Sequence, residues 1–245
     1  MAGSLYLGNQ KVCPAILIGE PKIFNVNGSQ WLGEIDSDGV MSTPTQDLDF
    51  VFNGVKDIQT NFLSGLLTTS AKARITSVSF PDLENLSGRN ALYSAFRHNS
   101  SKVSSFSAPK LKTITGEDAL RTCFWYSKIE ELSLPELEDI RNLAFEGCFA
   151  YSLLLRTARF NKLNKIGFYS FFECFSSCQN VDLYFNSIKS DTFVDDTGFV
   201  DMLSGATNCT IHVPSNTQSI IQGLDGYPDF GGTNTTILYD LPATE

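Results

Sequence analysis

Three cysteines, Cys123, Cys148 and Cys174, recur at spacings of 25 and 26 residues, and regular thiol spacing can signal a zinc site or a disulfide framework. Four carboxylates cluster at Glu130, Glu131, Glu136 and Glu138, the material from which a hydrolase pairs an acid with a base. Asp36-Ser37-Asp38-Gly39 and Asp195-Asp196 resemble fragments of calcium loops, but neither has the later Glu of an EF-hand loop. The two histidines, His98 and His212, have no serine or cysteine partner that a motif would place beside them. No nucleophilic triad can be assembled from the sequence alone.

The elements that must position these residues change how they read. A block of 25 to 28 residues repeats about seven times between Asp47 and Pro214, with starts near 47, 75, 103, 129, 155, 180 and 208. One unit is Ile129-Glu-Glu-Leu132-Ser-Leu134-Pro135-Glu-Leu137-Glu-Asp-Ile140, followed by Ala144-Phe145 and Cys148-Phe149. The unit before it carries Phe106, Ala108, Pro109, Leu111, Ile114, Leu120, Cys123 and Phe124 in the same register, and the unit after it Ala158, Phe160, Asn161, Leu163, Ile166, Phe171, Cys174 and Phe175. Pro or Asn returns at one position: Asn53, Pro81, Pro109, Pro135, Asn161, Asn186 and Pro214. A period of this length means stacked units that share one core.

Within a unit, Leu132-Ser133-Leu134 alternates, so Leu132 and Leu134 share one strand face and Glu131 and Ser133 the other. Pro or Asn then ends the strand. Ala144, Phe145, Cys148 and Phe149 have helical spacing, which predicts one or two turns of helix on the side away from the strands. The expected fold is an α/β repeat solenoid with a parallel sheet on one face and short helices on the other. Residues 1–46 read as a small β-rich N-terminal cap or docking module, 47–214 as the repeats and 215–245 as a C-terminal cap. That cap should hold a short helix near Ser215–Gln222, ended by Gly223, and a last strand at Thr235–Tyr239.

The Leu-x-Leu-Pro-x-Leu-x-x-Ile and Ala-Phe-x-x-Cys-Phe blocks resemble the BspA-type leucine-rich repeat family. The resemblance covers about 170 of the 245 residues and is best over 102–175. It departs from the pattern in the copies near 47 and 180, which lack the Pro and are padded. Such repeats occur mostly in surface-exposed and adhesive proteins of gut bacteria, protists and their phages, so the resemblance implies a leucine-rich-repeat array that binds rather than catalyses. The opening Leu7-Gly-Asn-Gln-Lys-Val-Cys-Pro14 also looks like openings of tail-region proteins of gut phages.

With the repeat in view, Cys123, Cys148 and Cys174 become one buried register position. A Cys174–Cys178 bond stays open, while Cys13 and Cys209 are isolated. The glutamates fall on solvent-facing positions. The 19 phenylalanines follow from a core column of Phe96, Phe124, Phe149 and Phe175. Asn27, Asn85, Asn99, Asn208 and Asn234 begin sequons and read as Asn-rich turns. The net charge of −9 provides no basic footprint for nucleic acid. No apolar run approaches the ~20 residues of a membrane-spanning helix, and no signal peptide is visible.

The expected ligand-binding surface is the solvent side of the parallel sheet: Ser105 and Ser107, Glu131 and Ser133, Thr157 and Arg159, Asp182 and Tyr184, and His212. It continues through Thr210 and, in the earlier units, through Asp49, Val51, Ser77 and Ser79. No metal, cofactor or catalytic residue is expected. The reading is a non-catalytic phage virion protein, fibre or tail-associated, made in the host cytoplasm. Its N-terminal module would join other virion subunits, and its repeats would meet a host surface glycan or protein. A homo-oligomer is expected. The alternative is a bacterial cell-surface adhesin with the same repeats.

Overall fold

A computed structural model describes residues 52, 55–59 and 74–244 with their side chains, and the backbone of five further strands. Four of those five form two antiparallel pairs, β1 (Leu5–Leu7) with β2 (Gln10–Val12) and β3 (Lys22–Val26) with β4 (Ser29–Gly33). The fifth, β5 (Leu48–Val51), joins the repeats by pairing parallel with β6 (Ile75–Ser79). Cys13, Asn27, the Asp36-Ser-Asp-Gly39 sequence, Asn53 and the Phe62–Leu67 part of the first unit lie outside the described residues.

From β5 onward the chain winds as a parallel-strand β-solenoid of about six turns. A full turn has three walls. The first is a parallel sheet, β5–β6–β8 (Ser105–Ser107), which resumes as β10 (Glu131–Ser133), β12 (Thr157–Phe160), β14 (Asp182–Phe185), β15 (Thr210–Pro214) and β16 (Thr236–Leu241). Burial alternates along these strands as the pleat requires. Leu132, Ala158, Leu183 and Ile211 are buried, and their strand neighbours point outward. Pro81, Pro109 and Pro135 occupy the second position of tight turns closed by Leu83 N–H to Phe80 O, Leu111 N–H to Ala108 O and Leu137 N–H to Leu134 O. Proline's fixed φ suits that position.

The second wall is a sheet of two-residue strands, β7 (Asn85–Leu86), β9 (Thr113–Ile114), β11 (Asp139–Ile140) and β13 (Lys165–Ile166). Each buries its second residue, which is Leu86, Ile114, Ile140 or Ile166.

The third wall corrects the expectation of helices. Segments such as 141–152 are runs of tight turns with no helix. Ala144, Glu146, Cys148, Ala150 and Ser152 each donate their N–H to the carbonyl three residues back. The intervening Leu143, Phe145, Gly147, Phe149 and Tyr151 donate theirs to Phe168, Ser170, Phe172, Cys174 and Ser176 of the next rung. From Leu143 to Ser152 the amides therefore alternate between closing turns and tying rung to rung, which pairs every donor of that run without a helix. Every other turn has its third residue in the left-handed region, as a type II turn requires: Thr122 (φ 50), Tyr126 (φ 61), Gly147 (φ 56), Tyr151 (φ 59) and Glu173 (φ 52). Among the described residues the α-helix is α1 (Gln218–Gln222), ended by Gly223 where the sequence places a stop.

The core is one continuous cluster running through all the described rungs. Phe96, Phe124, Phe149 and Phe175 stack in a column, with centroids 5.5, 5.6 and 6.1 Å apart. Each ring contributes about 1.5–3 kcal/mol through burial, and each stacked pair about 0.5–1.5 kcal/mol more. Cys123, Cys148 and Cys174 lie beside the column, fully buried and outside any disulfide.

Candidate functional site

Parallel pairing in register sets like positions of successive rungs side by side, about 4.8 Å apart. On the outer sheet this builds two columns. One runs Ser77–Ser105, breaks where β8 and β10 are not paired, and continues as Glu131–Thr157–Asp182–Thr210–Thr236. The other runs Ser79–Ser107 and then Ser133–Arg159–Tyr184–His212–Leu238. Every sequence-selected residue with a described side chain therefore lies on this face. Ser105, Glu131, Ser133 and Arg159 are exposed, and Ser107, Thr157, Asp182, Tyr184, Thr210 and His212 are half-buried. The side chains of Asp49 and Val51 fall outside the described residues.

The second column carries the only continuous side-chain structure on this face among the described residues. The Arg159 guanidinium lies 3.9 Å above the Tyr184 ring. Tyr184 and His212 stack with centroids 4.2 Å apart and planes 5° from parallel. His212 Nδ1 then meets the Asp240 carboxylate at 2.9 Å. Cation, ring, ring and anion thus form one stack across β12, β14, β15 and β16. Arg159 has no carboxylate partner among the described residues, so its N–H edge is available to a ligand. A guanidinium held by an aromatic face is pre-organised, which reduces the ordering cost of binding.

The sequence reading places the last strand, at Thr235–Tyr239, but assigns it to a cap; β16 (Thr236–Leu241) instead pairs with β15 and extends the sheet, which brings Leu238 and Asp240 to this face. A signal was present: Asp240 follows His212 by 28 residues, one repeat period. The His212–Asp240 pair resembles half of a hydrolytic site. Yet Tyr184 covers the imidazole, and among the described residues no serine or cysteine bonds to it.

The other candidates disperse. Glu136 is taken by Lys162 at 2.7 Å and Asp139 by Arg141 at 3.0 Å, while Glu130, Glu131 and Glu138 face solvent. His98 Nδ1 accepts the Ser100 N–H at 3.0 Å. Asp195 Oδ1 accepts from the Thr197 N–H and hydroxyl at 2.9 and 2.7 Å, which closes its turn. Among the described residues no group of three His, Cys, Asp or Glu could hold a metal. Cys174 and Cys178 are both free. Burial pushes the thiols of Cys148 and Cys174 well up and that of Cys178 up to about 12, so none supplies a thiolate. Asn208 and Asn234 sit in left-handed turns, and the side-chain amides of Asn180, Asn208 and Asn234 bond in a ladder at 3.4 and 3.2 Å.

Comparison of the chain with protein-family models and with curated protein sequences gives no match. No helix among the described residues is long and apolar enough to cross a membrane.

Proposed function

We propose that this protein is a non-catalytic recognition subunit that presents the outer sheet of its solenoid to a host surface glycan or protein, as a fibre- or tail-associated component of a phage virion. The observation that carries the recognition reading is the Arg159–Tyr184–His212–Asp240 stack. It places a pre-organised cation and two stacked rings beside a column of Glu131, Thr157, Asp182 and Thr210. Hydroxyls and charges repeating every rung suit an extended partner, because each rung can repeat the same contact. The resemblance to BspA-type repeats and the absence of a basic footprint at net charge −9 agree with binding to surfaces rather than to nucleic acid. The virion assignment rests on that resemblance and on the look of the N-terminal opening.

Fractionation of infected cells tests the assignment. The protein should sediment with purified particles and stay with them through a density gradient. Recovery on the bacterial envelope in uninfected cells would favour the adhesin reading instead.

A further inference from the structure

The corner where the turn wall returns to the outer sheet carries an aromatic platform that the sheet-face reading does not use. The Tyr126 N–H donates to Ala150 O, that of Tyr151 to Ser176 O, that of Ser177 to Ser204 O and that of Gly205 to Gly231 O. Tyr126, Tyr151, Ser177 and Gly205 therefore share one column, and all have positive φ, at 61, 59, 60 and 66°.

The Tyr126 ring lies on Tyr151 with centroids 4.9 Å apart and planes 19° from parallel. Trp125 packs edge-on against both, at 4.4 and 5.5 Å, and the Arg97 guanidinium covers Trp125 at 4.0 Å. One face of Tyr151 is thus fixed from below. The ring planes stack along the column, so the other face looks toward the next rung. There the column holds Ser177 and then Gly205, neither long enough to cover a ring. A Cβ placed on Gly205 would stand 3.6 Å from Ser177 Oγ, which sets that hydroxyl within the same column. Tyr151 remains 39% exposed.

We propose that this shelf is a second binding site, which takes one neutral pyranose ring of a glycan. The rung spacing of about 4.8 Å falls within the roughly 4.5–7 Å between centroids of stacked rings. A pyranose with its C–H face on Tyr151 turns its hydroxyls toward the Ser177 hydroxyl. The open shelf itself consists of a phenol ring and a hydroxyl, which argues for a neutral ligand. Arg97 lies on Trp125, below the shelf, and Arg156 points its Nη1 at the carbonyls of Leu153, Leu155 and Gln179. This site is separate from the Arg159–Tyr184 column and does not depend on it.

Methyl β-glucopyranoside, methyl β-galactopyranoside and methyl α-mannopyranoside are titrated into the full chain, with the backbone amide signals of residues 151 and 177 and their neighbours followed by NMR. At least one sugar should shift them saturably. Tyr151→Phe should bind like the native chain, and Tyr151→Ala should bind about tenfold more weakly, the loss of one ring stack. Ser177→Tyr is the decisive variant. Tyrosine is already accommodated at this φ on two rungs, so the substitution should extend the ring stack, abolish sugar binding and leave the melting temperature unchanged or raised. Arg159→Glu should leave the titration unaltered. The proposal is overturned if none of the three sugars shifts Tyr151, or if Ser177→Tyr binds as before. Self-association that Ser177→Tyr and Leu153→Ser both abolish would also overturn it, by making this corner an interface between copies.

Discussion

A buried thiol that cannot ionise ties stability to alkaline pH. Burial raises the folded-state values of Cys148, Cys174 and Cys178 above the ordinary 9.0, and that of Cys178 reaches about 12. Below pH 9 both folded and unfolded chains hold these protons, and the stabilisation is fully present. Above it the unfolded chain releases protons that the folded chain keeps, so stability falls until the folded value is reached. Chemical denaturation between pH 8 and 11 should show stability falling above pH 9, by about 1.4 kcal/mol per pH unit for each such thiol. Cys178→Ala should lessen that slope. The same buried positions should label slowly with a thiol reagent on the native protein.

Two neighbouring residues test the strand register at the same scale. Leu134 is fully buried and Ser133 exposed. Leu134→Asp would bury an unpaired carboxylate and should prevent folding, whereas Ser133→Asp should cost under about 0.5 kcal/mol. Equal losses in thermal melting would mean the two faces are exchanged.

At the scale of elements, the turn wall shows where sequence reading stops. Ala144, Phe145, Cys148 and Phe149 repeat every four residues. Over eight residues a period of four cannot be told from the helical 3.6, so the pattern suggests a helix. The paired turns that actually form also repeat every four residues. Their chemistry is hidden because Thr122, Tyr126, Tyr151, Glu173 and Ser177 occupy left-handed positions where Gly or Asn would have announced a turn. Asn90, Gly147 and Gly205 do give the signal. What holds the others there is the inter-rung hydrogen bonding, which no single unit contains. The strands, by contrast, were legible, because period-two burial and the Pro positions are local.

Close stacking of rungs also makes a demand on glycine. A Cβ on Gly116 would stand 2.0 Å from the carbonyl oxygen of Gly88 in the preceding rung. Since that oxygen belongs to backbone, relief requires the rungs to separate. Gly116→Ala should therefore cost several kcal/mol, far beyond the ~1 kcal/mol by which Ala usually stabilises over Gly where its conformation is allowed. Thermal unfolding of the single variant checks this, and an unchanged melting temperature would show that the rungs can slide apart.

At the scale of the molecule, the repeat makes a stacked architecture legible in the sequence alone, because about seven copies average out local ambiguity. The candidate face was legible for the same reason: like positions stack, and Arg159, Tyr184 and His212 share a register. Its last member was not. The strand expected at Thr235–Tyr239 is present as β16 (Thr236–Leu241), but it ends one residue short of Asp240 in the sequence reading, and the Gly-rich lead-in Gly226-Tyr-Pro-Asp-Phe-Gly-Gly232 makes it look like a cap rather than another rung. The Tyr151 shelf was hidden too, since it depends on what the next rung lacks.

Binding of the purified protein to intact host cells, compared with that of Arg159→Glu and Tyr184→Ala, tests the central claim most directly. Both positions lie on the outer surface, so both variants should melt within a few degrees of the native chain. The recognition account predicts that each loses cell binding by about tenfold or more, the equivalent of 1.4 kcal/mol. Native-level binding by both folded variants would contradict it and move recognition off the outer sheet.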